Sequence, residues 1–206
     1  MKENGLLIST DSMEVLKELY VLIDYVGHPS MNDDYLNKKR LDTLNLLLRT
    51  TNKKIIISIG SVFGNRKQNW KYFTQYREMF EEIRSFAQCR SNITWIDVKG
   101  DPSIQVLTDE LADKNYAIVP SITKINIGGT NLSGCVLYNK KSSVTQFIRL
   151  GFKVNVILPM CAEGENTGIN DFEKMMKAIT LVYEYLKTNK LTDSVDLIWN
   201  TRWTKV

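Results

Sequence analysis

Five short apolar runs recur along the chain: LYVLID, KKIIISIGSV, NITWIDVK, KINIGG and FKVNVILP. They are apolar nearly throughout, without the alternation of a half-exposed strand. A strand of that kind has to be covered on both faces, which is the condition of a parallel sheet with helices packed on either side. The segments between them carry helical periodicity. YLNKKRLDTLNLLLRTTN places Leu36, Leu41, Leu44, Leu47 and Leu48 at helical spacing, and the stretch from Asn69 to Gln88 alternates aromatic and charged residues. After the turn signal GDPS, IQVLTDELADKN reads as a helix with Val106, Leu107 and Leu111 inside. A further helix is expected from about Gly134 to Leu150. Asp171–Lys187 is amphipathic, with Phe172, Met175, Met176, Ile179, Val182 and Leu186 on one side. Strands alternating with helices build βαβ units, so the expected fold class is α/β, a three-layer α/β/α sandwich around a mostly parallel, Rossmann-like sheet.

The 206 residues suit a single domain over 1–206, with an N-terminal arm at 1–18 and a C-terminal tail at 190–206. A chain of this length buries about 70% of its unfolded surface. Its formal charge of +4 is too mild to demand nucleic acid or an acidic membrane as partner. Cys89, Cys135 and Cys161 are an odd number without close spacing, which is no disulfide framework and no zinc motif. The N-terminus lacks the apolar core of a secretory signal, and no run approaches the ~20 residues that span a bilayer. A soluble, cytoplasmic protein is expected, with a small-molecule substrate, no membrane partner and no cofactor. The tail DLIWNTRWTKV carries Trp199 and Trp203, residues prominent in interfaces, and motivates a homo-oligomer. The same tail also fits a last strand packed on its own domain.

In a parallel α/β sheet the ligand sits at the carboxyl ends of the strands. Asp24 follows YVLI, Lys99 follows TWIDV, and Cys135 comes a short turn after KINIGG. A carboxylate, an ammonium and a thiol at three strand ends have a joint chemistry. A free thiol is mostly protonated at neutral pH and needs a base or a cation to become a nucleophile. Taken singly, each has a plainer reading: a small buried hydrophobe for Cys135, a turn cap for Asp24, a surface lysine for Lys99. Asp11, after LLIST, is a second candidate for the carboxylate, but Asp11-Ser12 fits a helix cap better. Cys161, read as a loop residue after a strand, and Cys89, at the end of a helix, lack a helix start behind them.

The stretch GGTNLSGCVLYNKKSSVTQFIRLGFKVNVILPMCA resembles the signature of the isochorismatase-like cysteine hydrolases. Gly129 lies six residues before Cys135, Cys-Val is followed by a helix, and Gly151-Phe152 precedes the strand VNV. LIDY and DVK stand where that family has its aspartate and lysine, and 36 residues separate Lys99 from Cys135. The resemblance implies Asp24 as general base, Lys99 as charge organiser and Cys135 as nucleophile toward an amide carbonyl or similar centre. It implies an oxyanion hole from the backbone N–H groups of Asn131 and Cys135, a cis peptide at Thr130–Asn131, and substrate contact at Thr130. Trp70 and His28 are the further pocket candidates, against a core or interface tryptophan and a solvated loop histidine. The metal-binding members of the superfamily use an aspartate and a His-x-His cluster. This chain has one histidine, so no metal is expected. The chain departs from the family's pattern at Val26, at Ser103-Ile104-Gln105 and at Leu132. Those departures motivate the alternative of an inactive scaffold or small-molecule binder. A third reading, nucleic-acid binding through the basic–aromatic stretch Asn65–Arg77, competes with a solvated helix face, because EMFEEI follows at once.

Overall fold

The computed structural model describes residues 12–23, 34–61, 74–99, 103–138, 142–163 and 171–199, except the side chains of 34–37, 58–61, 74–77, 99 and 171–172. In chain order these form β1 (Glu14–Val15), β2 (Glu18–Ile23), α1 (Asp34–Thr50), β3 (Ile55–Ser61), α2 (Thr74–Gln88), β4 (Ile93–Lys99) and α3 (Ile104–Ala112). Then follow β5 (Tyr116–Ala117), β6 (Lys124–Thr130), a π-helical turn (Leu132–Val136), α4 (Val144–Arg149), β7 (Lys153–Ala162), α5 (Asp171–Thr188) and β8 (Val195–Ile198). Six strands make one parallel sheet in the order β4-β3-β2-β6-β7-β8. Glu14–Val15, within the segment expected as an arm, pairs with β5 in a separate two-stranded sheet. The tail contributes β8 to the main sheet, with Trp199 exposed just beyond it and Trp203 outside the described residues.

Alternation along each strand divides the apolar residues between two cores. Leu19, Val21 and Ile23 of β2 join Ile125 and Ile127 of β6 and Val154 and Val156 of β7 on one face. There they meet Leu107 and Leu111 of α3, Phe147 of α4, and Ile179, Val182 and Leu186 of α5. Tyr20 and Leu22 point to the other face, where Leu41, Leu44, Leu47 and Leu48 of α1 and Phe80 and Ile83 of α2 cover them. This is the α/β architecture read from the apolar runs: a parallel sheet flanked by helices on both faces. No described helix is long and apolar enough to cross a membrane.

Four details differ from the sequence reading. Val106 and Met176 are exposed, because their helices bury neighbouring positions instead: Leu107, Thr108 and Leu111 in α3, Ala178, Ile179 and Val182 in α5. The helix expected over 134–150 is broken. A π-helical turn holds Cys135, and α4 begins only after Ser143, whose backbone is extended. Ser142 and Ser143 are completely buried, and the Ser143 and Thr145 hydroxyls share a hydrogen bond at 3.0 Å. Cys161 lies inside β7, not in a loop after it. β7 runs further than its apolar core suggests because it bulges. While β6 advances from Ile127 to Gly129, β7 advances from Val156 to Cys161 before pairing resumes. The surplus residues include Pro159, which has no N–H for the ladder and is at home in a bulge.

One polar pair interrupts the apolar sheet. Asn126 and Asn155 face each other across β6 and β7, both buried, and the Asn155 Nδ2 donates to the Asn126 Oδ1 at 2.7 Å. The second donor and acceptor of the pair, Asn126 Nδ2 and Asn155 Oδ1, meet no partner among the described residues. Asn155→Val alone strands the whole Asn126 amide and should cost about 1–3 kcal/mol, whereas valine at both positions removes all the polar side-chain atoms of the pair at once. Urea denaturation should find the Asn126→Val/Asn155→Val double variant more stable than either single one. A double variant less stable than both would contradict this account.

Candidate active site

The chain leaves β2 toward β3 and β4 on one side, and later passes to β6, β7 and β8 on the other. The strand order therefore reverses between β2 and β6, and a crevice opens at the carboxyl ends of such a pair. β2 ends at Ile23, paired with Gly129, and β6 ends at Thr130. Their approach is close: a Cβ on Gly129 would lie 2.2 Å from the Ile23 carbonyl oxygen.

Beyond Thr130 the chain turns sharply. Asn131 takes a left-handed conformation (φ 60°, ψ 71°), which asparagine tolerates better than most residues. Its carbonyl accepts hydrogen bonds from the N–H groups of Gly134 and Val136, both at 3.1 Å, and so winds the next residues into one π-helical turn. A Cβ on Gly134 would lie 2.6 Å from the Asn131 side-chain amide, which would have to move to admit it. Single π turns are frequent at functional sites. Cys135 sits in this turn, partly buried and packed against the core under α5. The Thr130–Asn131 peptide is trans, which corrects the cis bond that the family resemblance implied; the left-handed Asn131 makes the bend instead. The dipole behind Cys135 is that of a single turn and not of the long helix read from the sequence.

The other members fall unevenly. Lys99 is the last residue of β4, paired through its backbone with Ser61 of β3. β4 lies two strands from β2, about 10 Å at the usual interstrand spacing, and its end belongs to the same edge of the sheet. The Lys99 side chain, Asp24, His28 and Trp70 lie outside the described residues, as do residues 65–73 of the basic–aromatic stretch. Thr130 is 1% exposed, and its hydroxyl accepts a hydrogen bond from Arg40 at 2.7 Å.

The cysteines separate clearly. Cys161 is buried, and its thiol donates to the Ile157 carbonyl at 3.3 Å. Burial pushes that thiol up to about 12, against the smaller opposing pulls of the Gly129 N–H and the Arg40 charge. Cys89 is exposed just beyond α2. Of the three, only Cys135 joins partial burial to a backbone bend at the sheet's carboxyl edge.

Two residues near this edge escaped the sequence reading. Arg40, 2% exposed on α1, reaches Thr130, and Glu163, just after β7, accepts the Ser133 N–H at 2.9 Å. A signal for Arg40 was present. It precedes Leu44, Leu47 and Leu48 by four, seven and eight residues, which puts a guanidinium on the apolar face of its helix. Glu163 had no comparable signal. No group of three or more His, Cys, Asp or Glu among the described residues is placed to hold a metal ion.

No family model and no curated protein matches the chain. Among solved structures, the MAR1 ribonuclease of Caenorhabditis elegans is similar over 92% of this chain and 95% of its own, at 13% identity and a TM-score of 0.43. The α/β class itself is defined by the parallel sheet and its two helical layers.

Proposed function

We propose that the chain is a cysteine hydrolase of the isochorismatase-like kind, acting on a small amide or a related small molecule. The observation that carries this reading is the place of Cys135. It stands on a left-handed bend directly after β6, beside the strand whose next residue is Asp24. In the proposed reaction Asp24 takes the thiol proton and the Cys135 sulfur attacks the carbonyl carbon. The oxyanion receives hydrogen bonds from the N–H groups of Asn131 and Cys135, while Lys99 balances the charge. The tetrahedral intermediate collapses to a thioester and expels the amine, which leaves with the proton held on Asp24. A water, deprotonated by Asp24, then attacks the thioester, and the acid departs as the thiol is restored.

A reactive ester such as p-nitrophenyl acetate tests this without knowledge of the natural substrate. Intact-mass and peptide analysis should find the acetyl group on Cys135. Asp24→Asn should slow acylation by about 100-fold, the usual scale for a positioned proton acceptor, and Lys99→Ala by about as much through lost charge stabilisation. If Cys135 acquires no acetyl group, the hydrolase reading fails and a binding or scaffold role on the same fold takes its place.

A further inference from the structure

A non-glycine residue in the left-handed region costs of order 1 kcal/mol or more and persists where surrounding contacts over-determine it. Around Asn131 two such contacts arrive from different elements. From α1, the Arg40 Nη1 donates to the Thr130 Oγ1 at 2.7 Å, one residue before the bend. From the end of β7, the Glu163 Oε2 accepts the Ser133 N–H at 2.9 Å, two residues after it. Arg40 occupies a position on the apolar face of α1 that leucine would fill without the cost of burying a charge. Both charges also act on the same sulfur. Arg40 lowers the Cys161 thiol pKa and Glu163 raises it, so both lie within electrostatic reach of the end of β7.

We propose that Arg40, through the Thr130 hydroxyl, and Glu163, through the Ser133 N–H, are positioning residues that hold Asn131 left-handed and present Cys135 at the crevice. The catalytic meaning of this clamp rests on the hydrolase reading; the clamp itself does not. In that reading the clamp fixes the N–H of Asn131 where charge develops on the substrate oxygen. It also gives the Thr130 hydroxyl an anchoring role inside the protein.

Acyl transfer needs the oxyanion donors and alkylation does not, so the two reactions separate positioning from simple exposure. In Thr130→Val, acetylation of Cys135 by p-nitrophenyl acetate should fall at least about tenfold, a fraction of the loss expected from removing an oxyanion donor outright. Alkylation of Cys135 by iodoacetamide should change less than about threefold, because it makes no oxyanion. Amide hydrogen exchange over 131–136 should rise in the same variant, with the remaining strands unchanged. Thr130→Ser, which keeps the hydroxyl, should restore all three readouts. Glu163→Leu should repeat the effect, and Glu163→Gln, whose amide oxygen still accepts an N–H, should not. The proposal is overturned if Thr130→Val and Glu163→Leu both leave exchange over 131–136 at the wild-type level. It is also overturned if Thr130→Ser fails to restore what Thr130→Val loses. A wild-type protein that is never acetylated, but whose 131–136 amides still open in Thr130→Val, sinks the hydrolase reading and upholds the clamp.

Discussion

Iodoacetamide at neutral pH should alkylate Cys135 in the native protein and leave Cys161 untouched. The thiol of Cys161 is raised from 9.0 to about 12, so its reactive thiolate is about 10³-fold scarcer than in an unperturbed cysteine at any pH well below 9. Its burial also denies the reagent access. Peptide mapping after timed exposure reads both sites in one experiment. Cys161 should become reactive only with unfolding, and its modification rate in rising urea should track the unfolding transition. The same shift affects stability with a definite sign. Above pH 9 the unfolded thiol loses its proton while the folded one keeps it, so the unfolded state binds fewer protons there. Cys161 therefore withdraws stability as pH climbs from about 9 toward 12, and Cys161→Ser should flatten that part of the profile. Native-state alkylation of Cys161 ahead of Cys135 would remove Cys135 as the nucleophile.

Gly129→Ala should cost at least about 3 kcal/mol, at or beyond the upper end of what overpacking usually exacts. The added Cβ would lie 2.2 Å from the Ile23 oxygen and 3.1 Å from the Ile23 carbonyl carbon. Neither atom belongs to a flexible side chain. Both are main chain in the ladder that joins β2 to β6, so relief requires the two strands to part at their carboxyl ends. Gly151→Ala is the matched control. Gly151 has a φ of 85°, but a Cβ there would meet only Pro120, at 3.6 Å, so the change should cost about 1 kcal/mol from backbone conformation alone. The urea midpoints of the two variants should be well separated. Equal midpoints would mean that β2 and β6 do not approach each other as described.

The parallel sheet was legible because burial on both faces writes itself into a strand as an uninterrupted apolar run. Ile55–Ile57 and Val156–Leu158 are such runs, and all six residues are buried. The α1 stripe of Leu41, Leu44, Leu47 and Leu48 was equally plain, and all four are buried. The finer assignments were not. Val106 and Met176 are apolar but point outward, and periodicity could not say which of several adjacent apolar residues a helix turns toward the sheet. The break at Ser143 was hidden because VLYNKKSSVTQFIRL keeps a plausible helical pattern through it.

The residues after the strands carried the candidate site. Cys135 was marked by its place between a glycine turn and the segment that follows, and the structure sets it on the bend after β6. What the sequence by itself determined was local: which stretches are buried on both faces, and which chemically capable residue follows them. Each of these depends on neighbours along the chain. The strand order β4-β3-β2-β6-β7-β8, the contact of Gly129 with Ile23, and the burial of Cys161 were decided only in three dimensions. So was the clamp on the turn. Arg40 stands 90 residues from Thr130, and Glu163 stands 30 from Ser133. A hydrogen bond over such a separation leaves no periodicity in the chain, because its geometry exists only after the sheet has brought α1 and the end of β7 to the same edge.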